Sequence, residues 1–186
     1  MDLGKVFAIV NQKGGVGKPT TTINLAACVA SLGKKALAID IDPQGNCTSG
    51  IGADKEGDCI YDCIINGAEP SNVIVHTAYE NLDIIPSGIS LAGAEVEMVD
   101  RNRREFLLKE IVDKVKGDYD YVFLDCPPSL GLLTINALTA SDGVVVPIQC
   151  EFFALEGLSQ LVTTIKMVRS SLNPDLYIEG VILTMF

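Results

Sequence analysis

Short apolar runs rich in β-branched residues recur along the chain at KVFAIV (5–10), KALAIDI (35–41), NLDIIP (81–86), YDYVFLD (119–125), GVVVPI (143–148) and YIEGVILTMF (177–186). Runs this short and this continuously apolar predict strands buried on both faces. Between them, apolar residues return at helical spacing over roughly 18–32, 90–116, 130–140 and 155–172. Strands that alternate with helices predict an α/β fold, a mostly parallel β-sheet flanked by helices on both faces.

In open sheets of this kind ligands collect at the carboxyl ends of the strands, so the residues that follow each strand carry the most information. The first strand runs into NQKGGVGK, the second ends in DIDPQGN, and the YVFLD strand leads into DCPPS. Three strand ends are therefore expected to converge on one site. The last run, GVILTMF, has the pattern of a buried strand and then stops with no helix behind it. The expectation is a chain that lacks the C-terminal portion of its domain.

Composition narrows the class. The chain has 186 residues, enough for one domain (1–186) with a sizeable core. Hydrophobic residues make up 48% and charged residues 20%, a balance that excludes disorder. The net charge of -10 opposes contact with phosphate backbones. The dense basic patch, RNRR at Arg101–Arg104, reads as a solvated helix face. Six cysteines lack the paired spacing of a zinc site or a disulfide framework, and read as reduced, buried thiols. No run approaches a membrane span, and no basic leader precedes the first strand. A cytoplasmic protein with no membrane contact is expected.

GGVGK between a strand and a helix is the core of a phosphate-binding loop. Glycines let backbone N–H groups turn toward phosphate oxygens, the helix N-terminus adds a positive field, and Lys18 reaches the terminal phosphates. The candidate nucleotide contacts are Lys13, Gly14, Gly15, Val16, Gly17, Lys18, Pro19, Thr20 and Thr21. The loop departs from the ordinary G-x-x-x-x-G-K-[ST], because Gln12 stands where the first glycine belongs and the pattern is K-G-G-x-G-K.

That deviant Walker A loop, taken with TTTINLAA, DIDPQGN, DCPPSLGLLTINALTASD and QCEFFALEGLSQL, closely resembles the ParA/Soj chromosome and plasmid partitioning proteins. The resemblance runs over essentially the whole chain. It implies a P-loop ATPase that uses ATP and Mg2+, yields ADP, and closes as a homodimer around two nucleotides. It also implies nonspecific DNA binding by that dimer, a ParB-like partner that stimulates hydrolysis, and a nucleoid-associated protein. With so few basic residues here, the DNA contacts are expected beyond Phe186.

Residue by residue, Lys13 resembles the lysine that reaches across the dimer, and Lys18 the cis lysine on the β and γ phosphates. Asp42 resembles the residue that positions the attacking water, and Asp125 the aspartate that holds Mg2+ through water. Asp40 reads either as support for the metal's water shell or as a solvated strand-end carboxylate. DPQGN and DCPPSLG resemble switch segments shaped by Gly45, Pro127 and Pro128. Glu151, Phe152 and Phe153 fall where the family builds part of its dimer face. Other users of this loop fit less well: a MinD-like protein needs a C-terminal amphipathic helix, an iron-sulfur reductase needs a different setting for Cys126, and a dethiobiotin synthetase-like enzyme does not carry DPQGN with QCEFFALEG.

One position breaks the pattern. Pro19 replaces the Ser or Thr whose hydroxyl ligates Mg2+, and it also removes a backbone N–H. Proline fits the first turn of a helix, so the fold is expected to survive, with strain on Lys18 as the residue before it. Thr20 is about 100° further around the helix and does not simply substitute. Two functions follow as alternatives: an active partitioning ATPase, or a hydrolysis-deficient nucleotide-binding scaffold.

Overall fold

The first strand, β1 (Lys5–Ile9), feeds the glycine loop and α1 (Lys18–Ser31); β2 (Ala36–Asp40) and a short α2 (Asn46–Ile51) follow. After α3 (Pro70–Val73) come β3 (Val75–His76), β4 (Leu82–Ile85), α4 (Ala94–Met98), α5 (Leu107–Val115) and β5 (Tyr121–Asp125). The chain ends with α6 (Leu132–Ala140), β6 (Gly143–Gln149), α7 (Ala154–Ser171) and β7 (Tyr177–Thr184). This computed structural model describes residues 4–150 and 154–185. Glu151, Phe152 and Phe153, proposed for the dimer face, lie outside the described residues.

The strands form one seven-stranded sheet in the order β3-β4-β2-β5-β1-β6-β7. Every pair is parallel except β3 with β4, which is antiparallel. Alternate side chains divide the core between the two faces. Val6, Ala8, Leu37, Ile39, Val122 and Leu124 pack toward α4, α5, α6 and α7, whereas Phe7, Ile9, Ala36 and Phe123 pack against Ala26 and Ala30 of α1. On that second face the rings of Phe7 and Phe123 stack with centroids 6.2 Å apart, joining β1 to β5 at the centre of the sheet.

The expected helix over 90–116 is broken. A 3-10 turn (Ile89–Gly93) leads into the five-residue α4, and α5 begins only at Leu107. Between them Arg103 takes φ 54°, a left-handed conformation that ends helical hydrogen bonding there. The arginines of this break do not form a solvated helix face. Arg101 donates to the carbonyls of Ile64 and Ile65 at 3.1 and 2.6 Å, Arg104 donates to Val99 O at 2.7 Å, and Arg103 lies over the Phe106 ring at 5.0 Å.

Two further expectations change. The last strand is present but not buried, because it is the edge of the sheet and pairs only with β6; Val181 and Leu183 are about half exposed. All six cysteines are free, yet Cys28 and Cys150 are exposed, so the reading of uniformly buried thiols holds for the other four. Among the described residues, no helix is long and apolar enough to cross a membrane.

Candidate functional site

The three strand ends singled out in the sequence are neighbours in the sheet, since β2, β5 and β1 are consecutive in its order. Register aligns them: Asp40 pairs with Asp125, and Ile9 pairs with Asp125 from the other side. Parallel strands share one direction, so all three carboxyl ends deliver their loops to the same edge. The result is a cavity of about 500 Å3 lined by Gly14, Gly15, Gly17, Lys18, Pro19, Thr20, Asp42, Gln44 and Pro128, among others.

The loop itself is shaped by its glycines. Gly15 and Gly17 have φ of 77° and 85°, a region that side chains with a Cβ rarely occupy, and Gly17 caps α1 from that conformation. A Cβ on Gly15 would meet nothing within 4 Å, so its requirement is backbone conformation and not space. Two anchors hold the loop ends. Asn11 accepts the Lys13 N–H at 2.9 Å and donates to Pro147 O at 2.8 Å, tying the loop to β6. Thr184 donates to Val16 O at 3.0 Å, tying it to β7.

Lys18 opens α1 although proline follows it, and the left-handed Gly17 takes the turn that precedes the helix. Pro19 sits in the first turn, where the N–H of an ordinary residue has no partner within the helix, so local structure survives as expected. Lys18 is only 4% exposed, and its ammonium donates to Lys13 O at 3.2 Å. Burial lowers its pKa, and the nearby Asp125, Cys126 and Asp42 partly restore it. Of the neighbouring threonines, Thr20 is exposed on the cavity wall, and Thr21 is buried and donates its N–H to Gly17 O at 2.8 Å.

Beneath the loop lies a group of carboxylates. Asp125 is fully buried; its Oδ1 accepts from Thr22 Oγ1 at 2.9 Å, and its Oδ2 is buried with no hydrogen-bond partner. Burial, with the neighbouring Asp40 charge next, raises the Asp125 pKa to about 8. An orphaned buried carboxylate oxygen fits a cation or its water shell, which is what a magnesium nucleotide would bring. The hydroxyl that usually completes such a set is missing at Pro19.

Asp40 answers to neither of its sequence readings alone. It is not solvated: it is fully buried, and its Oδ2 accepts both the N–H and the hydroxyl of Thr48, at 2.8 and 2.7 Å. Its Oδ1 accepts the Asp42 N–H at 3.1 Å. Burial raises its pKa to about 6, against those hydrogen bonds. Asp40 thereby ties the end of β2 to α2 and fixes the backbone that carries Asp42. Asp42 is 6% exposed, lines the cavity, and accepts the Gln44 N–H at 3.0 Å. Gly45 ends this turn at φ 61°.

Three participants were not legible in the sequence. Thr22 bridges Lys18 O at 3.0 Å and Asp125, linking the loop helix to β5. Thr48 bridges Asp40 and the Ser87 N–H, the latter at 2.9 Å, and so joins the end of β4 to the same network. Lys55 donates to Gln44 O at 2.6 Å, over a Gly45 whose Cβ would strike its side chain. Thr22 lies on the helix directly after the loop, which was the one available signal; the other two are brought in from the neighbouring segments only by folding.

A family model described as an AAA domain matches residues 4–178. The chain is 58% identical to the sporulation initiation inhibitor protein Soj of Bacillus subtilis over 185 residues, covering 98% of this chain and 73% of that protein. It is 49% identical to the chromosome partitioning protein ParA of Myxococcus xanthus, covering 99% of this chain and 66% of that protein. Among solved structures, a cobyrinic acid a,c-diamide synthase from Mycobacterium smegmatis with bound ADP and magnesium superposes with a TM-score of 0.93 at 40% identity, covering 97% of this chain and 74% of that one. One fold thus carries both partitioning and metabolic names, and the Bacillus subtilis Soj and Myxococcus xanthus ParA are each more identical to this chain than that synthase is.

Proposed function

This chain belongs to the ParA/Soj family of partitioning proteins, and on that premise we propose that it is a nucleotide-switched ATPase acting in chromosome or plasmid segregation. The observation that carries the reading is the meeting of Lys18 and Asp42 on one cavity wall, with the orphaned Asp125 oxygen buried behind it on a carboxylate that feels the Lys18 charge. Lys18 binds the β and γ phosphates, exchanging its bond to Lys13 O for stronger charge-assisted bonds. Asp42, held by the Gln44 N–H, orients the attacking water. Asp125 faces the metal side through the oxygen that no protein group satisfies. Magnesium, when bound with the nucleotide, supplies positive charge against the phosphate oxygens. Lys13 reaches the second subunit's nucleotide in an ATP-bound homodimer. DNA and a ParB-like protein are its partners, in the cytoplasm at the nucleoid.

A second reading has its own observation. Pro19 stands on the cavity wall without hydroxyl or N–H, which favours a scaffold that binds nucleotide and does not turn it over. Measuring phosphate release with ATP and Mg2+, beside nucleotide affinity, separates the two. Turnover supports the ATPase; tight binding with no turnover supports the scaffold; and no nucleotide binding at all overturns both.

A further inference from the structure

Asp40, Cys47 and Asp125 present their ligand atoms within 4.8 Å of one another, and all three residues are buried. We propose that they form a site for a thiophilic divalent cation of the zinc or cadmium class, set beneath the phosphate loop. The proposal takes Asp125 as a metal-facing carboxylate, as above, and does not require that the chain hydrolyse ATP.

Two independent observations point to a ligand here. The first is the donor set: two carboxylates with one thiol is a mixture of hard and soft ligands that suits zinc-like ions better than magnesium. The second is that Asp125 Oδ2 is fully buried and has no partner. Asp40 has capacity to spare as well, since an ionised carboxylate accepts about four bonds and Asp40 takes three. Cys47 packs among Ala38, Ile51 and Ile84, an apolar setting in which the thiol has only the two carboxylates as chemistry.

The dimensions allow it. Across a tetrahedral ion with bonds of about 2.3 Å to sulfur and about 2.0–2.2 Å to oxygen, the donor atoms stand roughly 3.6 Å apart. A cluster already within 4.8 Å needs to close by roughly 1 Å to reach that spacing. A fourth position stays open for water. Because the ion takes the free oxygen of Asp125, its occupancy excludes metal-assisted nucleotide binding, and trace zinc becomes an inhibitor of the loop.

Cadmium alone is the probe, added to nucleotide-free protein in which the exposed Cys28 and Cys150 are replaced by serine. The thiolate-to-cadmium absorption in the near ultraviolet reports sulfur ligation, and equilibrium dialysis gives affinity and stoichiometry. One ion is expected to bind with the band present. Cys47→Ser, nearly isosteric, removes the band and weakens binding by at least the roughly 10- to 100-fold that losing a mere supporting partner of a metal ligand costs. Asp125→Asn weakens binding and keeps the band. A band of equal strength in Cys47→Ser, or no band in the parent, overturns the proposal. Neither outcome bears on turnover, so failure here and failure of the ATPase reading are distinguishable.

Discussion

Asp40 and Asp125 stand side by side in register on adjacent parallel strands, both fully buried, and only Asp40 has both its carboxylate oxygens satisfied by hydrogen bonds. The Asp40 charge raises the Asp125 pKa beyond what burial does alone, and Lys18 offsets part of the effect. Two identical side chains in register are thereby left in different surroundings, one tied into the protein's own donors and one with an oxygen to spare.

That pairing sets the pH dependence. Both carboxyls hold protons more readily in the folded chain, with pKa about 6 for Asp40 and about 8 for Asp125, than in the unfolded one, where an aspartate titrates at its ordinary 3.8. Over that window the unfolded state binds fewer protons, so stability contributed by these groups is full below the unfolded pKa and is lost as pH rises through about 6 and then about 8. Without nucleotide or metal, the melting temperature should fall from about pH 4 to about pH 8, and Asp125→Asn should flatten that fall, above about pH 6 most of all. A profile unchanged by Asp125→Asn would place the titration elsewhere.

Pro19→Thr restores a hydroxyl ligand and a backbone donor to the cavity wall. A hydrogen bond to a charged group contributes roughly 1.5–3 kcal/mol, so magnesium-nucleotide affinity should tighten by about 10- to 150-fold, with faster turnover. Isothermal titration and phosphate release measure the two separately. Equal constants for the two proteins would show that the loop meets its metal without this position.

Asp42→Ala, made in the Pro19→Thr background, should abolish hydrolysis while ATP still binds. The carboxylate lines the cavity, and its one hydrogen bond is local, to the Gln44 N–H. Nucleotide titration alongside turnover is the measurement. Unimpaired hydrolysis would remove Asp42 from the reaction.

Arg101→Ala should destabilise the fold by about 1–3 kcal/mol, because it leaves the Ile64 and Ile65 carbonyls without their charged donor. Denaturant unfolding reads this directly. DNA binding by this chain should be weak in both forms, since the arginines are engaged with the protein; salt-sensitive binding lost on changing Arg101, Arg103 and Arg104 to Ala would assign them to phosphates instead.

Thr48→Val should loosen the turn that carries Asp42, since its hydroxyl both donates to Asp40 and accepts the Ser87 N–H. A cost of about 1–3 kcal/mol in stability is expected, with a larger loss in turnover than in nucleotide affinity. Equal losses in both would make Thr48 a purely structural residue.

The amino-acid pattern by itself determined the six principal strands, the phosphate loop and the three strand ends that meet. Each is local, written in periodicity or in glycine and lysine spacing that needs no distant partner. Folding decided the rest. The two-residue β3 has too little sequence to show a period, and its antiparallel pairing comes from β4. The break before α5 rests on one left-handed residue, Arg103, in a stretch whose apolar spacing is helical throughout. The roles of Asp40, Thr22 and Thr48 were decided by parallel register, which sets Asp40 against Asp125 across 85 positions of chain and brings Thr22 and Thr48 to them. A carboxylate's duty depends on which donors surround it once water is gone, and donors that arrive from other strands and helices leave no mark beside it in the sequence.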